Sequence, residues 1–188
     1  MTTNKKTIIL GTAHLKSTPG KCSPDKKFYE YQYSRKVCKA VKKELEIKGY
    51  NAVIDIEDDD LKTSQSGELS LRCKIVNEMQ KTYRNCIYVS IHVNGAGNGS
   101  KWMNATGWEA YTTVGNTSAD RLATCLYKAA EKNLKGKKIR KDTTDGDPDK
   151  ESNFYVLKHT SCPAVLTENF FQDNKSDVDY LTSEIGFN

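Results

Sequence analysis

Short apolar runs alternate with longer helical patterns along this chain, and three of those runs end close to an ionisable side chain. Ile8-Ile9-Leu10 leads through Gly11-Thr12-Ala13 to His14. Ile87-Tyr88-Val89-Ser90-Ile91 leads to His92, and Ala164-Val165-Leu166-Thr167 leads to Glu168. Glu30 opens the first long helical pattern. Apolar runs of this length, bounded by turn residues, suit buried strands, and strands alternating with helices build a layered α/β domain. If the runs are neighbouring strands of one sheet, the four side chains converge at its carboxyl edge, where open α/β sheets place their ligand sites.

The rest of the chain fits that scheme. Thr7–Leu10 reads as a buried strand, and residues 11–28, with Pro19, Gly20 and Pro24, as a loop. Tyr29–Lys48 carries Val37, Val41 and Leu45 on one helical face and stops at Gly49. Asn51–Ile56 reads as a strand followed by the acidic run Glu57–Asp60, a solvated loop. Leu69–Tyr83 is helical, with Leu71, Ile75, Val76 and Met79 along one side, and Asn85–Ile91 is a central strand. Residues 94–106 are rich in glycine but lack the lysine-serine pair of a phosphate loop. Gly107–Thr113 reads as a strand, Ser118–Leu134 as an amphipathic helix, and residues 135–153 as a mobile loop rich in lysine and aspartate. Phe154–Leu157 and Ala164–Thr167 read as two further strands, and Asp177–Ile185 as a last helix. With no internal repeat or linker, the 188 residues read as a single α/β domain over 1–188.

Composition narrows the partners. The 37% hydrophobic and 28% charged residues are ordinary for a globular domain, and no apolar stretch approaches the roughly 18–20 residues that span a bilayer. The first six residues, Met1 to Lys6, precede only four apolar residues, too few for a signal-peptide core, so the expected place of synthesis is the cytoplasm. A net charge of +5 suits an anionic partner, but the lysines are scattered among acids rather than gathered on an aromatic-rich strand, which argues against nucleic acid. Cys22, Cys38, Cys73, Cys86, Cys125 and Cys162 form no C-x-x-C pair and read as buried free thiols.

Two neutral imidazoles and one carboxylate make a catalytic zinc set with a position left open for water, and a further carboxylate can act as the base. His14 and His92 are the imidazoles that follow strands. Glu30, Asp25 and Glu44 compete for the carboxylate ligand, and Glu168, costly to bury on a strand unless paired or beside a metal, suits the base. His159 reads either as a substrate contact or as a structural histidine. Asn77 and Asn94 suit orientation of the metal-bearing loop. Trp102, Trp108 and Tyr111 are candidates for stacking on sugar or peptide, with a core place the alternative for Trp108.

The block Ser90-Ile91-His92-Val93-Asn94, Arg72 followed by Asn77, and Val156-Leu157 ahead of Pro163-Ala164-Val165-Leu166-Thr167-Glu168 together resemble the zinc-dependent N-acetylmuramoyl-L-alanine amidases over about residues 7–181. The resemblance selects Glu30 as the carboxylate ligand beside His14 and His92, with Glu168 as the catalytic residue and Zn²⁺ as the cofactor. It implies a phosphorylase/hydrolase-like α/β/α layered fold with a mostly parallel, mixed central sheet. It also implies hydrolysis of the amide between the lactyl group of N-acetylmuramic acid and L-alanine in peptidoglycan. Gly20-Lys21-Cys22-Ser23-Pro24 is similar to the phage or prophage lysin branch. The absent signal implies action on the wall after release from the cell, a monomer is expected, and the separate wall-binding module that family enzymes often carry is not expected here. The chain departs from the family at Gly11-Thr12-Ala13-His14-Leu15-Lys16, where His-Gly-Gly is usual. A zinc peptidase of the carboxypeptidase type would use the same ligands and is the rival enzyme; a catalytically silent wall-binding module is the rival of another class.

Overall fold

The computed structural model describes residues 6–58, 60, 61 and 63–187. The first five residues of the segment considered above for a signal, and Asp59 of the acidic run, lie outside them. Six strands form one sheet: β1 (Thr7–Thr12), β2 (Asn51–Ile54), β3 (Cys86–Asn94), β4 (Trp108–Thr112), β5 (Lys150–Glu151) and β6 (Ala164–Phe171), in the order β2-β1-β3-β6-β4-β5. The first four neighbours run parallel, β4 is antiparallel to β6, and β5 is parallel to β4. The sheet is therefore mixed and mostly parallel. The helices are α1 (Glu30–Ile47), α2 (Gln65–Tyr83), α3 (Ser118–Asn133), α4 (Tyr155–His159), α5 (Lys175–Thr182) and α6 (Glu184–Phe187).

Alternation along the strands assigns the helices to two faces. Ile8 and Leu10 pack with Cys38 and the Val37, Val41 and Leu45 stripe of α1, while Ile9 between them packs with Cys73 and Val76 of α2. On β6, Val165 belongs to the core under α3 and α5, with Trp108, Tyr127 and Val178. Its neighbour Leu166 belongs to the core under α2 and α4. The result is a helix/sheet/helix sandwich. Trp108 is part of its core, edge-on to Tyr127.

Local chemistry explains the helix ends. The Ser64 hydroxyl accepts from Gly67 N at the start of α2, and Thr117 and Asp120 form a reciprocal capping box on α3. The N-cap of α1, Tyr29, has no such side-chain bond, and the first-turn acid Glu30 is directed elsewhere.

Several boundaries differ from the sequence reading. Phe154–Leu157 is not a strand: Tyr155–His159 is helix α4, with Leu157 N and Lys158 N donating back to Phe154 O. A buried Val-Leu pair fits one turn of helix as well as a strand, and periodicity cannot separate them over four residues. Residues 135–153 are tied to the sheet rather than loose, because Ile139 bridges Trp108 and Lys150–Glu151 form β5. Strand β6 runs four residues beyond Thr167, through a register shift opposite His92–Asn94. Of the cysteines, Cys38, Cys73, Cys86 and Cys162 are buried free thiols, Cys22 is half-buried and Cys125 is exposed on α3.

A buried polar network locks the carboxyl ends of β1 and β2 to α2. The Asp55 carboxylate accepts from Thr12 N at 2.9 Å, from Tyr88 Oη at 3.0 Å and from the Arg72 guanidinium. Arg72 also pairs with Glu68 at 2.9 Å, and the Thr18 hydroxyl donates to Glu68 Oε2 at 3.2 Å. Arg72 is 2% exposed. Removing one member of a buried ion group strands the others without partners. Arg72→Met is therefore expected to cost about 3–5 kcal/mol of stability in urea unfolding. A loss below about 1 kcal/mol, the range of surface pairs, would show that the network is solvated and dispensable.

Candidate metal centre

His14 lies two residues past the end of β1, in a left-handed backbone conformation with φ 45°. Helix α1 holds that turn from behind. Ser34 Oγ accepts from Ala13 N and donates to Ile91 O, while Arg35 donates to the carbonyls of Ala13 and His14. Glu30 opens the same helix, with its backbone N bonded to Lys21 O at 3.1 Å. His92 and Glu168 stand directly across from one another on β3 and β6, and Glu109 on β4 stands across Glu168 on the other side.

The first three side chains meet. His92 Nδ1 is 3.0 Å and His14 Nε2 3.6 Å from Glu30 Oε1, and the imidazoles sit edge to face with centroids 5.0 Å apart. One donor atom from each of His14, Glu30 and His92 falls within 4.8 Å of the other two. Glu30 is 1% exposed; its Oε1 accepts from Val93 N, and its Oε2 has no hydrogen-bond partner. The second nitrogen of His92 lies 3.1 Å from Ser90 Oγ. With the proton on that nitrogen, Nδ1 and Glu30 Oε1 present two lone pairs to one point, which a cation satisfies. Burial lowers the His14 pKa to about 3, against the raising effect of Glu30, so its ring is neutral in the metal-free protein at pH 7. Two imidazoles, a buried carboxylate with an unused oxygen and a serine that orients one ring are the donor set and support that a zinc site requires.

Glu168 lines the same cleft, a space of about 300 Å³ walled by His14, Lys21, Glu68, His92, Tyr155 and Leu166 among others. Its Oε2 is buried and without a partner. Burial and then the negative charge of Glu30 hold its pKa well above the usual carboxylate range, with Glu109 adding to the effect and Lys21 opposing it. Glu109 is instead fully engaged: Arg140, Lys150, Asn94 and Tyr111 all bond its carboxylate. Asn94 donates to Glu109 at 2.6 Å, at the end of β3.

The other residues considered lie outside the cleft. Asn77 donates to His159 O and accepts from Ser161 N and Oγ, so it pins the turn before β6 and not the metal-bearing loop. His159 is exposed at the end of α4, stacked on Tyr155, and is absent from the cleft lining. Asp25 is engaged with Ser23 and Lys27, and Glu44 pairs with Lys48, so neither competes with Glu30. Asp55 and Glu109 were not singled out from sequence. Asp55 carries the same signal as Glu168, an acid closing an apolar run, and Glu109 lies inside one.

A family model described as N-acetylmuramoyl-L-alanine amidase matches residues 8–186. The chain belongs to that family. The amidase CwlM of Bacillus licheniformis is 30% identical over 126 residues, covering 64% of this chain and 41% of that protein. The endolysin of Bacillus phage SPP1 is 34% identical over 101 residues, 52% of this chain and 33% of its own length. The chain thus spans less than half the length of the curated relatives it matches. The fold is shared with the N-acetylmuramoyl-L-alanine amidase of Clostridium difficile 630, at a TM-score of 0.81, 24% identity and coverage of 98% of this chain and 89% of that one. It is also shared with the catalytic domain of CwlV from Bacillus (Paenibacillus) polymyxa, at 0.73 and 21% identity over 97% and 90%.

The depressed pKa of His14 has a measurable consequence in the metal-free amidase-family domain. Between pH 6.5 and about 3 the unfolded chain binds a proton at His14 that the folded chain refuses. More protons on the unfolded state means that stability rises with pH, so this contribution is lost as pH falls from 6.5. His14→Asn is expected to flatten the stability profile of chelator-treated protein over pH 4–6.5, measured as urea midpoints. An unchanged slope would place the proton uptake on another group.

Proposed function

We propose that this domain is a zinc-dependent N-acetylmuramoyl-L-alanine amidase, hydrolysing the amide between the lactyl group of N-acetylmuramic acid and L-alanine in peptidoglycan. The observation that carries the reading is the convergence of His14, Glu30 and His92 around one point, with Glu168 on the adjoining strand in register with His92, in a chain of this family. His14, Glu30 and His92 would hold the metal. Bound Zn²⁺ lowers the pKa of a water toward roughly 7 and polarises a scissile carbonyl.

The protein groups supply the rest. Glu168 takes a proton from the attacking water and delivers it to the departing L-alanine nitrogen, so one carboxyl serves as base and then acid. Its apolar surroundings on β6 favour the protonated state that the second step needs. Ser90 fixes the His92 ring, and the carbonyl contacts of Arg35 fix the turn that bears His14. Lys21 on the cleft wall supplies positive charge toward the developing oxyanion and toward an anionic peptide stem.

The carboxypeptidase reading calls for a free arginine to bind a substrate carboxylate. Arg72 is committed to Asp55 and Glu68, Arg140 to Glu109, and Arg84 and Arg121 are not among the residues lining the cleft. That favours the amidase. Similarity to the SPP1 endolysin supports action on the wall after release from the cell.

Two expected outcomes test the proposal. Chelation of the purified protein abolishes release of new L-alanine amino ends from peptidoglycan, zinc restores it, and mass analysis of the products finds free lactyl carboxyls. Cleavage only between amino acids would replace the amidase with a peptidase. Glu168→Gln lowers kcat by roughly 10²–10⁴-fold, the usual worth of a positioned acid-base group, at unchanged zinc content. Wall lysis that survives this change would remove Glu168 from the chemistry.

A further inference from the structure

A second pair of acids stands apart from the cleft, on the connection from α3 into β5. Asp149 immediately precedes β5, is 2% exposed and accepts a hydrogen bond from Thr112 Oγ1 at 2.6 Å through Oδ2. Its other oxygen, Oδ1, is buried and has no hydrogen-bond partner. The carboxylate facing it is Asp147, partly exposed, whose Oδ1 accepts weakly from Asp149 N at 3.3 Å. When both are ionised, two carboxylates are acceptors only, and neither can satisfy the other. Burial, with Asp147 and Asp120 beside it, raises the pKa of Asp149 to about 7.

The cations near this pair in sequence are turned to other partners. Arg140 and Lys150 both pair with Glu109, and Lys141 pairs with Glu131. Among the described residues no lysine or arginine forms an ion pair with Asp147 or Asp149. A buried carboxylate oxygen aimed at a second carboxylate, without a counter-charge, calls for a hard cation of the kind that oxygen ligands hold.

We propose that Asp147 and Asp149 bind a divalent cation of the calcium class, separate from the His14, Glu30 and His92 centre. Asp149 Oδ1 is the inner ligand and Asp147 closes the site from the solvent side, with water completing the shell. The cation ties the acid-rich turn 142–149 to Thr112 at the end of β4. It thereby steadies β5 and the Lys150 and Arg140 contacts to Glu109, the residue in register with Glu168.

The test is calcium binding to the zinc-loaded protein at pH 8, read by titration calorimetry and by melting temperature, with magnesium as the comparison ion. One calcium per chain is expected, with a dissociation constant of roughly 10⁻⁴–10⁻³ M, as in extracellular calcium modules. At about 100 times that concentration the melting temperature rises by roughly 5–10 °C. Asp147→Asn and Asp149→Asn each lose the calcium response while keeping their zinc, and Glu30→Gln loses zinc while keeping calcium. Asp147 is partly exposed, so its variant carries the test if the Asp149 variant does not fold. The proposal is overturned if calcium produces neither heat nor a melting shift, or if both variants respond like the parent. A metal-free protein that loses stability as pH rises through 7 and does not regain it with calcium also overturns it, and assigns the pair a shared proton instead.

Discussion

The contact between Arg72 and Asp55 holds the upper half of the sheet in register with its helices. Asp55 collects donors from β1, β3 and α2 at once, and Arg72 carries the link on to Glu68 and the loop that follows His14. Each member alone would be expensive to bury; together they leave no charge without a partner. The expense is placed beside the cleft, where both Glu68 and Arg72 form part of the lining. The wall behind the candidate metal centre is therefore an ionic network rather than a set of independent side chains. Gly11 shows how tightly it is drawn, since a Cβ there would lie 2.3 Å from Tyr88 Oη.

Helix α1 has a double role. Its first residue is one of the three candidate metal donors, and its second turn supplies Ser34 and Arg35, which grip the turn bearing His14 and strand β3. The helix start that lacks a side-chain cap is the start whose acidic residue turns toward His14 and His92. A side chain at the first position also gains from the positive end of the helix, which favours the ionised carboxylate that a cation requires.

Strand ends were the legible part of this sequence. His14, His92 and Glu168 each follow an apolar run, and such runs are long-lived signals because burial on both faces of a parallel sheet demands them. Glu30 could be chosen over Asp25 and Glu44 only through family resemblance, since all three are plain acids in or just before the first helix. The strand expected at Phe154–Leu157 is a helix because four apolar residues fit either period. The acids Asp55 and Glu109 lie at or inside apolar runs, but their partners could not be read from pattern, because Arg72 and Arg140 stand 17 and 31 positions away. Asn77 followed the family motif in sequence and serves a different turn in space.

The sheet is bounded by β2, four residues long, and β5, two residues long and carrying Lys150. Exposed strand edges are templates on which a second chain can add itself, and short or charged edges deny it purchase. Both ends of this sheet are blunted in that way. Growth of the sheet from one molecule into the next is disfavoured at either side, so the folded chain offers a second copy little backbone to pair with.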